Sequence, residues 1–190
     1  MLPELRIHPG FALDLTTNDA DGAAWDFDNL EMRQRALDRV RREKPLLLVG
    51  SPMCTAFPTW QYINQSRRDP AIVEAEKRRA VMHLEFCIEL YREQLRNGRY
   101  FLHEHPAYAT SWQEAAMKEL EAESGVFISV IDQCLYGAEG PNGDPLKKPT
   151  KFITNSSEMI KQLSQRCLGK GGACSRAKGG SHQHCSGKMA

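Results

Sequence analysis

The chain has 190 residues, of which 41% are hydrophobic and 26% charged, and its formal net charge is +1. This length suits one domain with a sizeable core, and the near-neutral charge does not indicate a nucleic-acid or membrane-surface binder. No apolar stretch approaches the roughly 20 residues of a membrane-spanning helix, and the N-terminus lacks the pattern of a secretory signal. We therefore expect an intracellular protein, cytoplasmic or nuclear, whose six cysteines are thiols or metal ligands.

The first part of the chain predicts a strand, then a helix, then a second strand. Residues 11–16 (FALDLT) suit a strand that ends near the carboxylate of Asp14. Residues 29–43 repeat apolar side chains at helical spacing, which predicts an amphipathic helix. The apolar run at 46–49 then suits a strand buried on both faces, and it leads directly into Ser-Pro-Met-Cys at 51–54.

The middle of the chain predicts a long helix followed by a strand with polar residues at its end. Aspartate followed by proline at 69–70 is a favourable helix start. The apolar stripe of this helix continues to an Asn-Gly end signal at 97–98. Residues 100–102 then suit a second buried strand, which delivers His-Glu-His-Pro at its tip (103–106).

Glu104 follows three apolar residues, so we expect its backbone to be largely buried. A carboxylate at that depth must be paired, bind a ligand or carry a raised pKa. The alternative is a strand-end glutamate that caps a neighbouring helix or pairs with an arginine. By strand alternation, His103 and His105 point to the opposite face, and each is more commonly a packing or hydrogen-bonding histidine than a metal ligand.

The rest of the sequence predicts one more helix, two more strands and an irregular end. These elements are a helix at 112–124 with Ser111 and Glu114 as a capping box, and strands at 126–131 and 151–155. Strands alternating with helices predict an α/β fold with a Rossmann-like, mostly parallel doubly wound sheet. In such sheets the chemistry lies at the carboxyl ends of the strands. We expect this α/β domain to span residues 1–166, followed by an irregular basic tail rich in Cys, His and Gly at 167–190.

Cys54 comes just after the predicted strand at 46–49, where the backbone amides of the following turn can lower the pKa of a thiol. It could therefore be a nucleophile at the end of a buried strand. Free cysteines are, however, usually small buried apolar side chains, so an inert thiol packed under a loop is the alternative. Cys87 lies in the apolar stripe of the long helix and is expected in the core.

The tail contains residue types that bind zinc. The candidate ligands are Cys167, Cys174, His182 and Cys185. Their spacing matches no standard zinc finger, and the alternative is a flexible basic tail without a metal. After Glu158 the chain has no Asp or Glu but six Lys and Arg residues, so the tail could contact nucleic-acid phosphates without reading sequence.

Several short segments together resemble the DNA cytosine-C5 methyltransferases, especially the small phage-type members. The family's Ser-Pro-Pro-Cys element is similar to GSPMCTAF, its Glu-Asn-Pro strand end to FLHEHP, its Cys-x-Tyr-Gly segment to DQCLYG, and its Lys-Pro-Thr segment to KKPTKFITN. An acidic strand end before a Trp-Asp stretch resembles LDLTTNDADGAAWDF, and a Cys-rich basic segment resembles RCLGKGGACSRA. The segments occur in the family's order.

The resemblance implies transfer of a methyl group from S-adenosylmethionine to C5 of a cytosine that is flipped out of DNA. Cys54 would add to C6 as the nucleophile, and Glu104 would protonate or hydrogen-bond N3. The residues that the resemblance places near the methyl donor are Asp14, Ser51 and Pro52. Those that it places near the substrate are His105, Lys148 and Thr150.

The sequence also departs from the family pattern. Met53 replaces a proline, Pro58 replaces a serine, and His105 stands where the family has an asparagine that helps to fix the nucleophile loop. The Phe-x-Gly-x-Gly turn that holds the donor in the family is not found in the 190 residues. These departures leave three alternatives: a truncated or degenerate relative, a donor site that is completed by another chain or in a homodimer, or different chemistry on the same scaffold.

Two other functions fit the same residues. One is a non-catalytic nucleic-acid-binding or interaction domain on a decayed methyltransferase core, which the missing donor motif and the basic tail favour. The other is a cysteine-dependent hydrolase, in which His103 or His105 would serve Cys54 as the base.

Overall fold

The computed structural model describes residue 8, residues 10–57 and residues 68–183. Internal contacts divide the chain into two compact units, residues 1–47 and residues 48–190. The expected tail from residue 167 onward thus falls within the second unit. Among the described residues, no helix combines the length and the apolar character that crossing a bilayer requires.

The first unit contains helix α1, Leu30–Glu43. The helix begins at Asn29, whose side chain accepts a hydrogen bond from the Glu31 N–H (2.8 Å). It ends at Lys44, which adopts left-handed backbone with a φ of 49°. Its buried side chains are Met32, Ala36, Leu37 and Val40. The helix predicted at 29–43 is therefore confirmed.

The strand predicted at 11–16 is wrong, because this segment forms a turn. One carboxylate oxygen of Asp14 accepts hydrogen bonds from the backbone N–H (2.7 Å) and the hydroxyl (2.5 Å) of Thr16. Aspartate and threonine side chains that bond locally to the backbone offer it an alternative to a strand ladder. Asp14 consequently lies in an exposed turn and not at a strand end.

A four-stranded sheet lies almost entirely in the second unit. Its strands are β1 (Leu47–Gly50), β2 (Tyr100–Pro106), β3 (Phe127–Asp132) and β4 (Pro149–Thr154), in the order β1-β2-β4-β3. β4 is antiparallel to both β2 and β3, and the remaining pair, β1 and β2, is parallel. The fold is mixed α/β as expected, but the sheet is mostly antiparallel, and the Rossmann-like doubly wound arrangement is not confirmed.

The connections between the strands explain their directions. Helix α2 (Pro70–Arg96) lies between β1 and β2 in the chain, as a parallel pair requires a long crossover. Residues 133–148 join β3 to β4 with only a 3-10 turn at Gln133–Tyr136, so the chain returns in the opposite direction. β1, β2 and β3 therefore run the same way, and their carboxyl ends lie at one edge of the sheet.

β1 is an edge strand, and the expectation that it is buried on both faces is wrong. Leu47 and Val49 are 36% and 61% exposed. Leu48 packs against the core, and the Cα of Gly50 lies close to Tyr91. Side chains alternate between the two faces of a strand, so only one face of β1 is covered although all its side chains are apolar.

The core lies on one face of the sheet, against α2 and α3 (Ala115–Ala122). Its largest side chains include Tyr91, Phe101, Trp112, Met117, Leu120 and Ile153. The start and end predicted for α2 are confirmed, because Asp69 accepts a hydrogen bond from the Ala71 N–H (2.8 Å) and the helix ends at Asn97. A short helix, α4 (Ser157–Gln162), follows β4.

The capping box predicted at Ser111 and Glu114 is wrong. Residues Thr110–Gln113 form a 3-10 turn, and α3 starts only at Ala115 without a side-chain cap. The Ser111 hydroxyl instead forms a hydrogen bond with His105. The Ser111 side chain therefore bonds to a histidine of β2 and does not cap α3.

Candidate active site and metal centre

β2 separates its polar side chains onto two faces. Phe101, His103 and His105 are buried on the face that carries the core, whereas Glu104 is half-buried on the other face. This is the alternation expected from the sequence. The structure differs in one respect, because the strand continues to Pro106 and all these residues lie within it.

Glu104 is linked to the loop that follows β1. The Ser51 hydroxyl donates a 2.8 Å hydrogen bond to Oε2 of Glu104. Ser51 lies three residues before Cys54, so the bond brings the start of the cysteine loop against the Glu104 carboxyl group. Among the described residues, Oε1 of Glu104 has no hydrogen-bond partner, which leaves one carboxyl oxygen available to a ligand.

His105 holds the same loop from the core side of the sheet. Its Nε2 lies 2.8 Å from the Pro52 carbonyl oxygen, and its Nδ1 lies 2.8 Å from the Ser111 Oγ. A carbonyl oxygen only accepts, so Nε2 carries the proton and Nδ1 accepts from Ser111. Burial lowers the pKa of His105, which favours this neutral ring. His105, predicted as a substrate contact, is therefore placed as a positioning residue, with both nitrogens bonded to protein.

His103 is a buried packing residue. Its Nδ1 lies 2.9 Å from the Tyr91 hydroxyl, and among the described residues its Nε2 has no partner. Burial, with repulsion from His105 and Lys151, holds the pKa of His103 well below its usual value.

A Cβ on Gly50 would lie 1.8 Å from the Tyr91 oxygen, so a glycine is needed where the cysteine loop leaves β1.

Cys54 lies on a turn that is fixed on both sides. Its carbonyl oxygen accepts a hydrogen bond from the Phe57 N–H (2.9 Å), and the Phe57 carbonyl accepts one from the Thr110 N–H (3.0 Å). Phe57 is buried in the core, while the residue Cys54 is partly exposed. Cys54 therefore lies on an anchored loop that is partly open to solvent. Pro58, one of the departures from the family pattern, lies outside the described residues.

A hydrolase would need a histidine nitrogen that is free to take the proton of Cys54. Both nitrogens of His105 have partners within the protein. Nε2 of His103 has none among the described residues, but His103 is fully buried while Cys54 is partly exposed, and no contact between the two is seen. The geometry therefore gives no support to a cysteine–histidine pair.

The residues expected at the methyl donor each form hydrogen bonds within the protein. Asp14 bonds to Thr16 in an exposed turn of the first unit. The Ser51 hydroxyl is bonded to Glu104, and the Pro52 carbonyl to His105. These contacts of Asp14, Ser51 and Pro52 give no support to a site for S-adenosylmethionine.

Two residues expected at the substrate, Lys148 and Thr150, lie at the start of β4. Thr150 is fully buried, and its hydroxyl accepts from the Gln133 side chain (2.9 Å) and donates to the Lys148 carbonyl oxygen (3.3 Å). Lys148 is half-buried, and its carbonyl also accepts from the Gln133 N–H. Thr150 stands opposite Pro106 of β2, so the residues at the start of β4 lie beside the carboxyl end of β2.

A second group of chemically reactive side chains could hold a metal ion. It consists of Cys134, Cys167, Cys174 and His182, whose donor atoms all lie within 4.8 Å of one another. The three cysteines are buried and the histidine is half-buried. Three of the four predicted ligands are thus brought together, whereas the fourth, Cys185, lies outside the described residues.

Two thiols of the cluster, those of Cys167 and Cys134, differ in their pKa values. Burial opposes ionisation of Cys167, but hydrogen bonds from the hydroxyl and the N–H of Ser175 outweigh it and lower the pKa to about 6. Burial raises the pKa of Cys134 to about 12. The lowered pKa favours the thiolate of Cys167, which is the form that binds metals, and a bound cation would favour the thiolate of Cys134 as well.

Cys134 is the ligand that the sequence did not indicate. It follows β3 in the 3-10 turn Gln133–Tyr136 and is separated from Cys167 by the whole of β4 and α4. Spacing along the chain could not identify it, because the return of β4 beside β3 brings the two segments together. A cysteine close to the end of a predicted strand was the only available signal.

Comparisons of the chain with protein-family models, with curated proteins and with solved structures each found no match. The function is therefore inferred from the geometry of the Cys54–Glu104 region and of the group Cys134, Cys167, Cys174 and His182, the Cys–His cluster.

Proposed function

We propose that this chain is a DNA cytosine methyltransferase-like protein in which Cys54 and Glu104 act on the same base. The observation that carries the proposal is the pair of hydrogen bonds that holds the cysteine loop to β2, from Ser51 to Glu104 and from His105 to the Pro52 carbonyl. His105 thereby supplies the loop-fixing contact that the resemblance assigns to an asparagine. The sheet edge at which β1 and β2 end is where such a site is expected.

In this proposal the Cys54 thiolate adds to C6 of cytosine. The π electrons of the C5–C6 double bond move to C5, which becomes nucleophilic, and the Glu104 carboxyl group stabilises the developing charge through N3. Ser51 holds one oxygen of Glu104 and leaves the other to the base. A cytosine in a duplex would have to be flipped out to reach the thiol, so DNA is the proposed partner.

S-adenosylmethionine would supply the methyl group. We derive no step through it, because Asp14, Ser51 and Pro52 are bonded within the protein. The proposal is that another chain, or a second copy of this one, completes the donor site. The part of the reaction assigned to this chain is the attack on the base.

The test is covalent trapping of a base that needs no methyl donor. DNA duplexes carrying 2-pyrimidinone in place of cytosine, with randomised flanking sequence, are incubated with the protein and resolved on denaturing gels. The ring lacks the electron-donating 4-amino group, so a thiolate adds to C6 and C5 takes a proton from water. We expect an adduct that maps to Cys54, is lost in Cys54→Ser and is retained in Cys87→Ser.

The absence of an adduct in the parent protein, or an adduct on another cysteine, would contradict the proposal. Cys87 is a suitable control because burial raises its pKa to about 12, so it remains a thiol at neutral pH.

A second candidate is a non-catalytic nucleic-acid-binding or interaction domain. The observation that favours it is that the Ser51 hydroxyl and the Pro52 carbonyl are already bonded to Glu104 and His105, and not to a methyl donor. Duplex binding, measured beside the trapping experiment, separates the two candidates. An adduct on Cys54 supports the enzyme, whereas duplex binding without an adduct supports the second candidate.

For the metal, we propose zinc at the Cys–His cluster, because three thiols and one imidazole are a common ligand set of structural zinc sites. The described cysteines are free thiols, which agrees with the proposed intracellular, reducing location.

A further inference from the structure

The irregular segments of the second unit have little apolar core of their own. They comprise residues 133–148 and 163–183, which contain no α-helix or β-strand. Their buried apolar side chains are Cys134, Pro145, Leu146, Cys167 and Cys174. Three of these five are cysteines of one cluster. Small structures with so little apolar burial usually need a metal or disulfides to fold, so these segments need another source of stability.

Two distances between donor atoms of the cluster match those between ligands of one zinc ion, and all four atoms lie within 4.8 Å of one another. The Sγ atoms of Cys167 and Cys174 are 3.8 Å apart, and Sγ of Cys167 lies 3.4 Å from Nε2 of His182. Tetrahedral zinc, with Zn–S bonds of about 2.3 Å and Zn–N bonds of about 2.0 Å, separates two sulfurs by about 3.8 Å and sulfur from nitrogen by about 3.5 Å. A disulfide would need sulfurs about 2.05 Å apart.

The backbone around the cluster is arranged to support the ligands. The N–H and hydroxyl of Ser175 both lie 3.4 Å from Sγ of Cys167 and donate to it. The buried carboxylate of Asp132, at the end of β3, accepts from the Cys167 N–H (2.8 Å) and from Nε of Arg166 (2.9 Å). Hydrogen bonds of this kind fix the orientation of metal ligands, and the bonds of Asp132 place Cys167 beside the turn that carries Cys134.

A glycine-rich turn returns the chain from Cys167 to Cys174. A Cβ on Gly169 would lie 2.0 Å from the Ala173 carbonyl oxygen, so this turn admits only glycine at that position. The His182 N–H donates to the Gly172 carbonyl oxygen (2.7 Å), which brings the fourth ligand back over the turn.

We infer that Cys134, Cys167, Cys174 and His182 form a closed structural zinc centre that fastens residues 163–183 to the turn after β3, and that Cys134, not Cys185, completes it. The inference rests on the zinc proposed above and is independent of any activity of Cys54 and Glu104. The alternative is that the three thiols pack as small apolar side chains, in which case removing metal changes nothing.

Metal content of matched variants tests the ligand set. The parent protein, Cys134→Ser, Cys185→Ser and Cys87→Ser are loaded with zinc, dialysed and analysed for bound metal. We expect one tightly bound zinc ion per chain in the parent, Cys185→Ser and Cys87→Ser, and its loss in Cys134→Ser. Substitution with cobalt should give the visible bands of a tetrahedral thiolate site in the same three proteins.

A second pair of variants covers the case in which Cys134→Ser does not fold. His182→Ala should lose the metal, whereas His182→Cys should retain it, because a thiolate can replace imidazole as a ligand but not as a packing group of the same shape. No bound zinc in the parent would overturn the metal itself. Zinc retained in Cys134→Ser but lost in Cys185→Ser would overturn only the assignment of Cys134.

Hydrogen exchange of the full chain tests the fastening role. Removal of zinc by a chelator should raise the exchange of residues 133–148 and 163–183 by at least tenfold and leave α2 and β2 protected. Equal protection with and without metal would overturn the role, and adding zinc back should restore protection in the parent but not in Cys134→Ser.

Discussion

At the scale of single residues, the two histidines of β2 have one property in common, which is that the folded state keeps them neutral. Burial lowers the pKa of both His103 and His105 below 6.5. The unfolded chain titrates near the ordinary value, so below about pH 6.5 it binds more protons than the folded chain. The free energy of unfolding should therefore fall as the pH falls from 7 to 5.

The contribution of His103 can be separated with His103→Gln, which keeps an acceptor for the Tyr91 hydroxyl. Urea unfolding at pH 7 and pH 5 should show a smaller loss of stability in this variant than in the parent, by up to about 1.4 kcal/mol per pH unit. Identical losses in the two proteins would mean that His103 is not held neutral by the fold.

Gly50 tests the packing under the cysteine loop. A Cβ at this position meets the Tyr91 hydroxyl at 1.8 Å, and overpacking of this kind costs about 1–3 kcal/mol. We expect Gly50→Ala to be destabilised in urea unfolding and part of the loss to be recovered in the double variant with Tyr91→Phe. Strictly additive effects of the two substitutions would contradict the close approach.

At the scale of elements, the helices whose ends carry local signals were predicted well. Asn29 caps α1 and Asp69 caps α2 through their own side chains, so the information lies within a few residues of each helix start. Ser111 carries the same kind of signal, but its hydroxyl is taken by His105. Local patterns fail where a distant residue competes for the capping group.

Strand directions were not predictable from the same patterns. β3 and β4 are apolar segments of the expected position, yet β4 enters the sheet between β2 and β3 and pairs with both in the antiparallel sense. That choice depends on how the 133–148 connection turns back and on the contacts of the whole sheet. The same pairing placed Cys134 beside the tail, which is why the sequence did not indicate this member of the Cys–His cluster.

The turn between Cys167 and Cys174 should affect zinc binding through its glycine at position 169. Gly169→Ala places a Cβ 2.0 Å from a backbone oxygen, which cannot move as a flexible side chain can. We expect weaker zinc binding, measured by competition with a chromogenic chelator, whereas Gly179→Ala serves as the control because it strains the backbone (φ 62°) without meeting another atom. Equal zinc affinity in the two variants would contradict the role of the turn.

At the scale of the whole molecule, the contacts that link the predicted site residues could not be derived from the sequence. The loop that carries Cys54 is bonded to the strand that carries Glu104, because Ser51 bonds to Glu104 and the Pro52 carbonyl bonds to His105. No local sequence pattern could show these bonds between neighbouring strands. His105, expected at the substrate, is committed to the loop. Asp14, expected at the donor, belongs to a separate unit and forms a turn.

The central claim is that Cys54 and Glu104 act on one base, and the rate of adduct formation tests it most directly. Glu104→Gln keeps the shape of the side chain and an acceptor for Ser51 but removes the acid. With duplexes carrying 2-pyrimidinone, we predict that Cys54 reacts about 100-fold or more slowly in Glu104→Gln than in the parent. Equal rates in the two proteins would contradict the claim.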